Sequence, residues 1–119
     1  MSKRARLLSA TTIGTLTLLA LSGCASKYVQ VAVRNQTGGS ITLVEVDYPS
    51  ASFGKETLGA GAEYDYRFKI LGDGPTKVLW TDAERKQHEV AGPKLEEGQQ
   101  GTLTVTLTPV TAIWDAQLR

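Results

Sequence analysis

Residues 63–70 read Glu63-Tyr64-Asp65-Tyr66-Arg67-Phe68-Lys69-Ile70, and this octet decides the fold. Tyr64, Tyr66, Phe68 and Ile70 fall at every second position, with Asp65, Arg67 and Lys69 between them. A strand turns successive side chains to opposite faces, so an apolar set alternating with a charged set predicts a half-buried strand. Gly59-Ala60-Gly61 ahead of it and Gly72-Asp73-Gly74-Pro75 behind it are turn material.

The same period of two recurs on both sides. Downstream, Val78 and Trp80 share a face, with Lys77 and Thr81 opposite. Asp82-Ala83-Glu84-Arg85 predicts a type I turn returning into a polar strand near residues 86–90. Residues 92–101 form a longer connection that contains Leu95. In 102–108, Leu103, Val105 and Leu107 alternate with threonines until Pro109. Upstream, Val29, Val31 and Val33 alternate with Gln30, Ala32 and Arg34, and 35–39 is a turn. Residues 41–48 make a strand whose apolar phase changes between Leu43 and Val44, which predicts a bulge or a switch of sheet. After Pro49, residues 50–55 read as a loop carrying Phe53, and 56–58 as a short edge strand. In the tail, Trp114 and Leu118 meet at i,i+4 on a helical turn, or the segment is an extended flap. The sum is six or seven short strands at regular spacing with no sustained helical period. That pattern predicts an all-β fold, an antiparallel β-sandwich of immunoglobulin-like character over 28–108, followed by a C-terminal tail at 109–119.

The first 27 residues follow different rules. Lys3, Arg4 and Arg6 form a basic head, residues 7–21 are uncharged and rich in Leu, Ala and Thr, and Ser22-Gly23 are small. This is the layout of a secretory signal, to be excluded from fold reasoning. Leu21-Ser22-Gly23-Cys24 resembles the lipobox of bacterial lipoproteins: an aliphatic residue, two small residues, then cysteine. The resemblance implies that the bond between Gly23 and Cys24 is cut, that the Cys24 thiol carries diacylglycerol, and that the new amine is acylated. Residues 1–23 are then a signal peptide and 24–27 a lipidated tether. Two or more acyl chains hold a protein stably at a bilayer without further contacts. Ala25 and Ser26 stand where an inner-membrane retention signal would carry Asp, so in a Gram-negative cell the resemblance implies the periplasmic face of the outer membrane. A retained signal anchor, a plain secretory signal and a structural thiol are the competing readings; residues 7–26 are uncharged over a length that can span a bilayer.

Without residues 1–23 the chain keeps 96 of its 119 residues, enough for one domain, with ten basic against twelve acidic side chains. That balance argues against nucleic acid, which asks for a clustered basic face, and against electrostatic adhesion to anionic lipid. Cys24 is the sole cysteine, so the domain is held by its core alone.

Catalytic constellations are missing from the pattern. His88 is the single histidine, and Glu84 lies four residues from it, a spacing that converges on a helix but not on a strand. Ser40, Ser50 and Ser52 lack a nucleophile-elbow context. Glu96-Glu97 sits in an open Gly/Gln-rich stretch, and Gly72-x-Gly74 runs into a proline and a strand. No metal, cofactor or catalytic residue is expected. Tyr64, Tyr66, Phe68 and Trp80 suit a sandwich core, with a stacking platform as the alternative. Phe53 and Trp114 are the candidate interface residues; Trp114 is either an exposed anchor, tryptophan being enriched in binding hot spots, or a cap on the end of the sandwich. The expectation is a membrane-anchored, non-enzymatic envelope lipoprotein that binds a protein partner. The second reading is an envelope glycan or peptidoglycan binder, and an enzyme ranks third.

Overall fold

The computed structural model describes residues 27–119; the expected signal peptide, the lipobox and Cys24 lie outside the described residues. Among the described residues there are eight strands: β1 (Val29–Asn35), β2 (Ile41–Tyr48), β3 (Ala51–Leu58), β4 (Glu63–Phe68), β5 (Lys77–Thr81), β6 (Gln87–Ala91), β7 (Gly101–Leu107) and β8 (Ala112–Leu118). They form two four-stranded sheets, in the orders β4-β1-β7-β8 and β3-β2-β5-β6. The inward residues of both sheets make one core, which includes Val29, Val31, Val33, Leu103, Val105 and Leu107 from one side and Ile41, Val44, Val46, Val78 and Trp80 from the other. Each such aliphatic side chain removed from water contributes about 1.5–3 kcal/mol, which is what a chain with one cysteine must rely on. The described residues are therefore all-β, in two packed sheets.

Three sequence expectations are corrected. First, the sheets are not antiparallel throughout, because β1 pairs with β4 antiparallel but with β7 parallel, from Val29↔Gly101 to Asn35↔Leu107. Second, residues 51–58 are a full strand along β2, not a loop followed by a short edge. Third, the expected tail is β8, paired rung by rung with β7, so the sandwich runs to Leu118. Pro109 does not end the sheet; it sits inside a tight β7–β8 turn in which the Thr108 amide donates to the Thr111 carbonyl at 2.8 Å and the Thr111 amide to the Thr108 hydroxyl at 3.0 Å.

The phase change in β2 is a bulge. Its register against β5 slips by one between Thr42 and Glu45, and Leu43 takes φ 51° with its side chain out in solvent. Ile41 on one side of the slip and Val44 and Val46 on the other can then all point inward. Gly54 lies across from this kink, paired with Glu45, and a Cβ there would collide with the Val44 carbonyl oxygen. The close approach of two backbones explains glycine inside a strand.

Strand directions sort the connections into two poles. At one lie the tight turns 36–40, 59–62, 82–86 and 108–111. At the other lie Tyr28, the turn at 49–50, the long connections 69–76 and 92–100, and Arg119. The two long connections are tied by a bridge between Gly74 and Leu95, and Leu95 plugs that end of the core.

The turn pole is organised by Asn35, which is fully buried. Its Nδ2 donates to the carbonyls of Gly39 (2.8 Å), Leu58 (3.0 Å) and Gly59 (2.9 Å). Its Oδ1 accepts from the Thr37 amide (3.0 Å) and hydroxyl (2.7 Å). One carboxamide thus fastens the β1–β2 turn to the β3–β4 turn.

Candidate functional site

The 82–86 turn carries the lone histidine. Asp82 begins a type I turn closed by the Arg85 amide on the Asp82 carbonyl at 3.0 Å, and Arg85 takes φ 67°, the left-handed step of a three-residue hairpin loop. The Asp82 Oδ1 accepts the amides of Glu84 and Lys86, both at 2.9 Å, and Oδ2 lies 2.8 Å from His88 Nε2. The bond with His88, aided by those two amides, holds the Asp82 carboxyl below the ordinary aspartate range. His88 stands beside Trp80 on the neighbouring strand, with the rings stacked at 4.8 Å and 9°. Beside them is a cavity of about 140 Å³ lined by Thr37, Gly39, Trp80, Asp82, Ala83, Glu84 and Pro109. It is smaller than the roughly 300–1,000 Å³ of small-molecule sites. With both Asp82 oxygens engaged by the turn amides and by His88, this cluster closes the hairpin. Among the described residues no group of three His, Cys, Asp or Glu side chains comes together as metal ligands do.

The aromatic set divides in two. Trp80 and Phe68 are buried in the core, while Tyr64 is half-buried and Tyr66 is 38% exposed. Phe53, expected as an interface residue, is buried instead. On β3 it points inward and stacks on Tyr66 across the two sheets at 4.2 Å and 13°. Tyr48 meets Phe68 at 4.0 Å, and its hydroxyl is pushed up in pKa by burial. This seam of Tyr48, Phe53, Tyr64, Tyr66 and Phe68 closes the sandwich along the β3 and β4 edges. The rings pack on one another, and Tyr66 is the most exposed member of the seam.

Trp114, the other expected interface residue, lies on β8. It is half-buried against the core, and a Cβ on Gly92 would come within 2.6 Å of its ring. Its role is to close the opposite side of the sandwich, over the β6 end. Its neighbour on the outward face is more informative. Ile113 is 59% exposed and Val110, in the adjoining turn, is 82% exposed. β8 is an edge strand, and Asp115 is its single charged residue, so it lacks the charges and prolines that usually blunt an edge. Sequence reading missed this surface because the segment was not recognised as a strand.

No family model and no curated protein matches the chain. Among solved structures it is similar to the NMR structure of a protein from Eubacterium rectale, with a TM-score of 0.57 and 15% identity over 74% of this chain and 88% of that one. At that identity the likeness concerns the fold alone, and it agrees with a β-sandwich over the described residues.

Proposed function

We propose that this chain is a lipid-anchored, extracytoplasmic protein of the cell envelope that acts by binding a protein partner, as an accessory or structural subunit, and not by catalysis. The observation that carries the reading is Leu21-Ser22-Gly23-Cys24, whose cysteine stands five residues ahead of Val29, where β1 begins. A membrane anchor joined directly to a small domain suits a protein that must be held in place. Ala25-Ser26 favours the periplasmic face of the outer membrane in a two-membrane cell. The binding half of the reading is supported by β8, whose open backbone edge and exposed Ile113 suit addition of a partner strand. The non-catalytic half is supported by His88, which is engaged by Asp82 and Trp80. Immunoglobulin-like character belongs to the same proposal. Two packed four-stranded sheets support it, although β1 pairs with β4 and β7 and not with β2, unlike the first two strands of an immunoglobulin constant domain.

The anchor is tested by Cys24→Ala, which should abolish incorporation of radiolabelled fatty acid and leave an uncleaved precursor; unchanged labelling refutes it. The binding mode is tested by photo-cross-linking from position 113 in intact membranes. A protein adduct supports the reading. Sedimentation of the protein with purified sacculi, with no such adduct, replaces it with glycan binding.

A further inference from the structure

Resting on the lipid-anchor reading, we infer that the domain stands on the bilayer by one particular pole, with Tyr28, Leu71 and the cations Lys27, Lys69 and Arg119 in contact with lipid headgroups. Chain length sets the first constraint. Four residue steps separate Cys24 from Tyr28, a reach of at most about 14 Å, whereas a seven-residue strand is itself about 23 Å long. The pole holding Tyr28 is therefore kept within reach of headgroups, and the turn pole with its 82–86 hairpin is kept away unless the domain lies on a flank.

Surface chemistry favours standing over lying. Tyr28 is half-buried, with the Arg67 guanidinium 4.3 Å and the Lys69 ammonium 5.0 Å from its ring centre. An aromatic ring bracketed by cations suits the interfacial zone, where rings sit at headgroup level and cations meet phosphates. Leu71, in the connection leaving β4, is 66% exposed at the same end. The charged groups of this pole are Lys27, Arg67, Lys69, Lys77, Lys94 and Arg119 against Asp47, Asp73, Glu96 and Glu97, with Lys77 3.9 Å from Asp47, which leaves a local excess of cations in a chain that would be slightly acidic without residues 1–23. One acid is partly occupied, since Asp73 Oδ1 accepts the Glu97 amide at 2.8 Å. The neighbouring flank, the outer face of the β4-β1-β7-β8 sheet, has no such excess. Arg34 there is paired with Glu63 at 2.8 Å, and Asp65 and Asp115 add negative charge around a row of threonines.

The test uses full-length protein, processed in cells and reconstituted in vesicles of phosphatidylethanolamine and phosphatidylglycerol. Leu71→Cys and Ala83→Cys place a nitroxide at either pole; both positions are exposed, so the fold is undisturbed. The expected result is loss of access to an aqueous relaxation agent at position 71 and full access at 83. Adding Lys69→Glu and Arg119→Glu should return the label at 71 to water while the protein stays in the vesicle fraction. A lipidated Cys24, verified by mass, with equal aqueous access at 71 and 83 overturns this inference alone. An unmodified Cys24 in protein that washes off the vesicles overturns the anchor reading and this one together.

Discussion

Replacing Asn35 by alanine tests the account of the turn pole most directly. Its Nδ2 has two hydrogens and three carbonyl acceptors, so one hydrogen is shared between two of them. Removing the carboxamide leaves the Leu58 carbonyl without that donor in a buried site and the Gly39 and Gly59 carbonyls in half-buried ones. The Thr37 amide and hydroxyl lose their acceptor as well. An unsatisfied buried group costs about 1–3 kcal/mol and a net hydrogen bond about 1 kcal/mol, so with the half-buried groups partly rescued by water the loss should be roughly 3 kcal/mol. At roughly 4–8 °C per kcal/mol for a domain of this size, Tm should fall by about 12–24 °C. Guanidinium unfolding followed by tryptophan fluorescence and by far-UV dichroism measures it, and coincident transitions license the two-state treatment. Asn35→Asp keeps the shape but turns the donor into a charged acceptor facing three carbonyl oxygens. Burial among acceptors raises the folded pKa of such a carboxyl, and a raised pKa means stability that is present at low pH and lost as pH rises. The deficit of Asn35→Asp relative to the parent should therefore be larger at pH 7 than at pH 3. A loss below about 0.5 kcal/mol for Asn35→Ala, the ordinary range for surface changes, refutes the clamp.

Two further outcomes are expected. The Asp82 carboxyl has a folded pKa below its ordinary value, so its contribution is present above that value and disappears as pH falls through the depressed one; the Tm gap between parent and Asp82→Ala should narrow on acidification from pH 6 to pH 2, and a constant gap refutes the role assigned to the His88 and amide bonds. Gly92→Ala drives a Cβ against the Trp114 ring and the Thr76 hydroxyl, at a cost of about 1–3 kcal/mol typical of overpacking, with a red shift of tryptophan emission; unchanged emission refutes the packing of β8 over that side.

Strands with one buried and one solvated face were legible in the sequence, because a regular alternation records which face is which. Val29, Val31 and Val33, or Leu103, Val105 and Leu107, each line one side of a strand without interruption. β3 was not legible, since its two buried residues, Phe53 and Leu58, are five apart and so out of phase with each other. They follow β2, where Ile41 and Val46 are their partners across the bulge. β8 was misread because Trp114 and Leu118 satisfy a helical i,i+4 pair and a strand's even spacing equally well. The parallel β1–β7 pair joins segments some seventy residues apart, and no local pattern encodes it. Asn35 looked like a turn residue because burial of a polar side chain is written in its surroundings and not in its own identity. Phe53 was taken for a surface group on the same misreading of β3. The resemblance to a lipobox, by contrast, rests on four consecutive residues, Leu21-Ser22-Gly23-Cys24, and needs no fold to be read.

The position of β1 has a mechanical consequence. β1, the first strand, is not an edge: it lies between β4 and β7 and is stitched to both along its length. Under the proposed anchor at Cys24, a tug from the membrane would enter at Val29 and run along the strand axis. If the far end of the domain is gripped, the two rows of rungs are loaded in shear, so they must break together instead of peeling one at a time. Under that proposal, a domain built this way would serve as a taut link between a bilayer and whatever pulls on it.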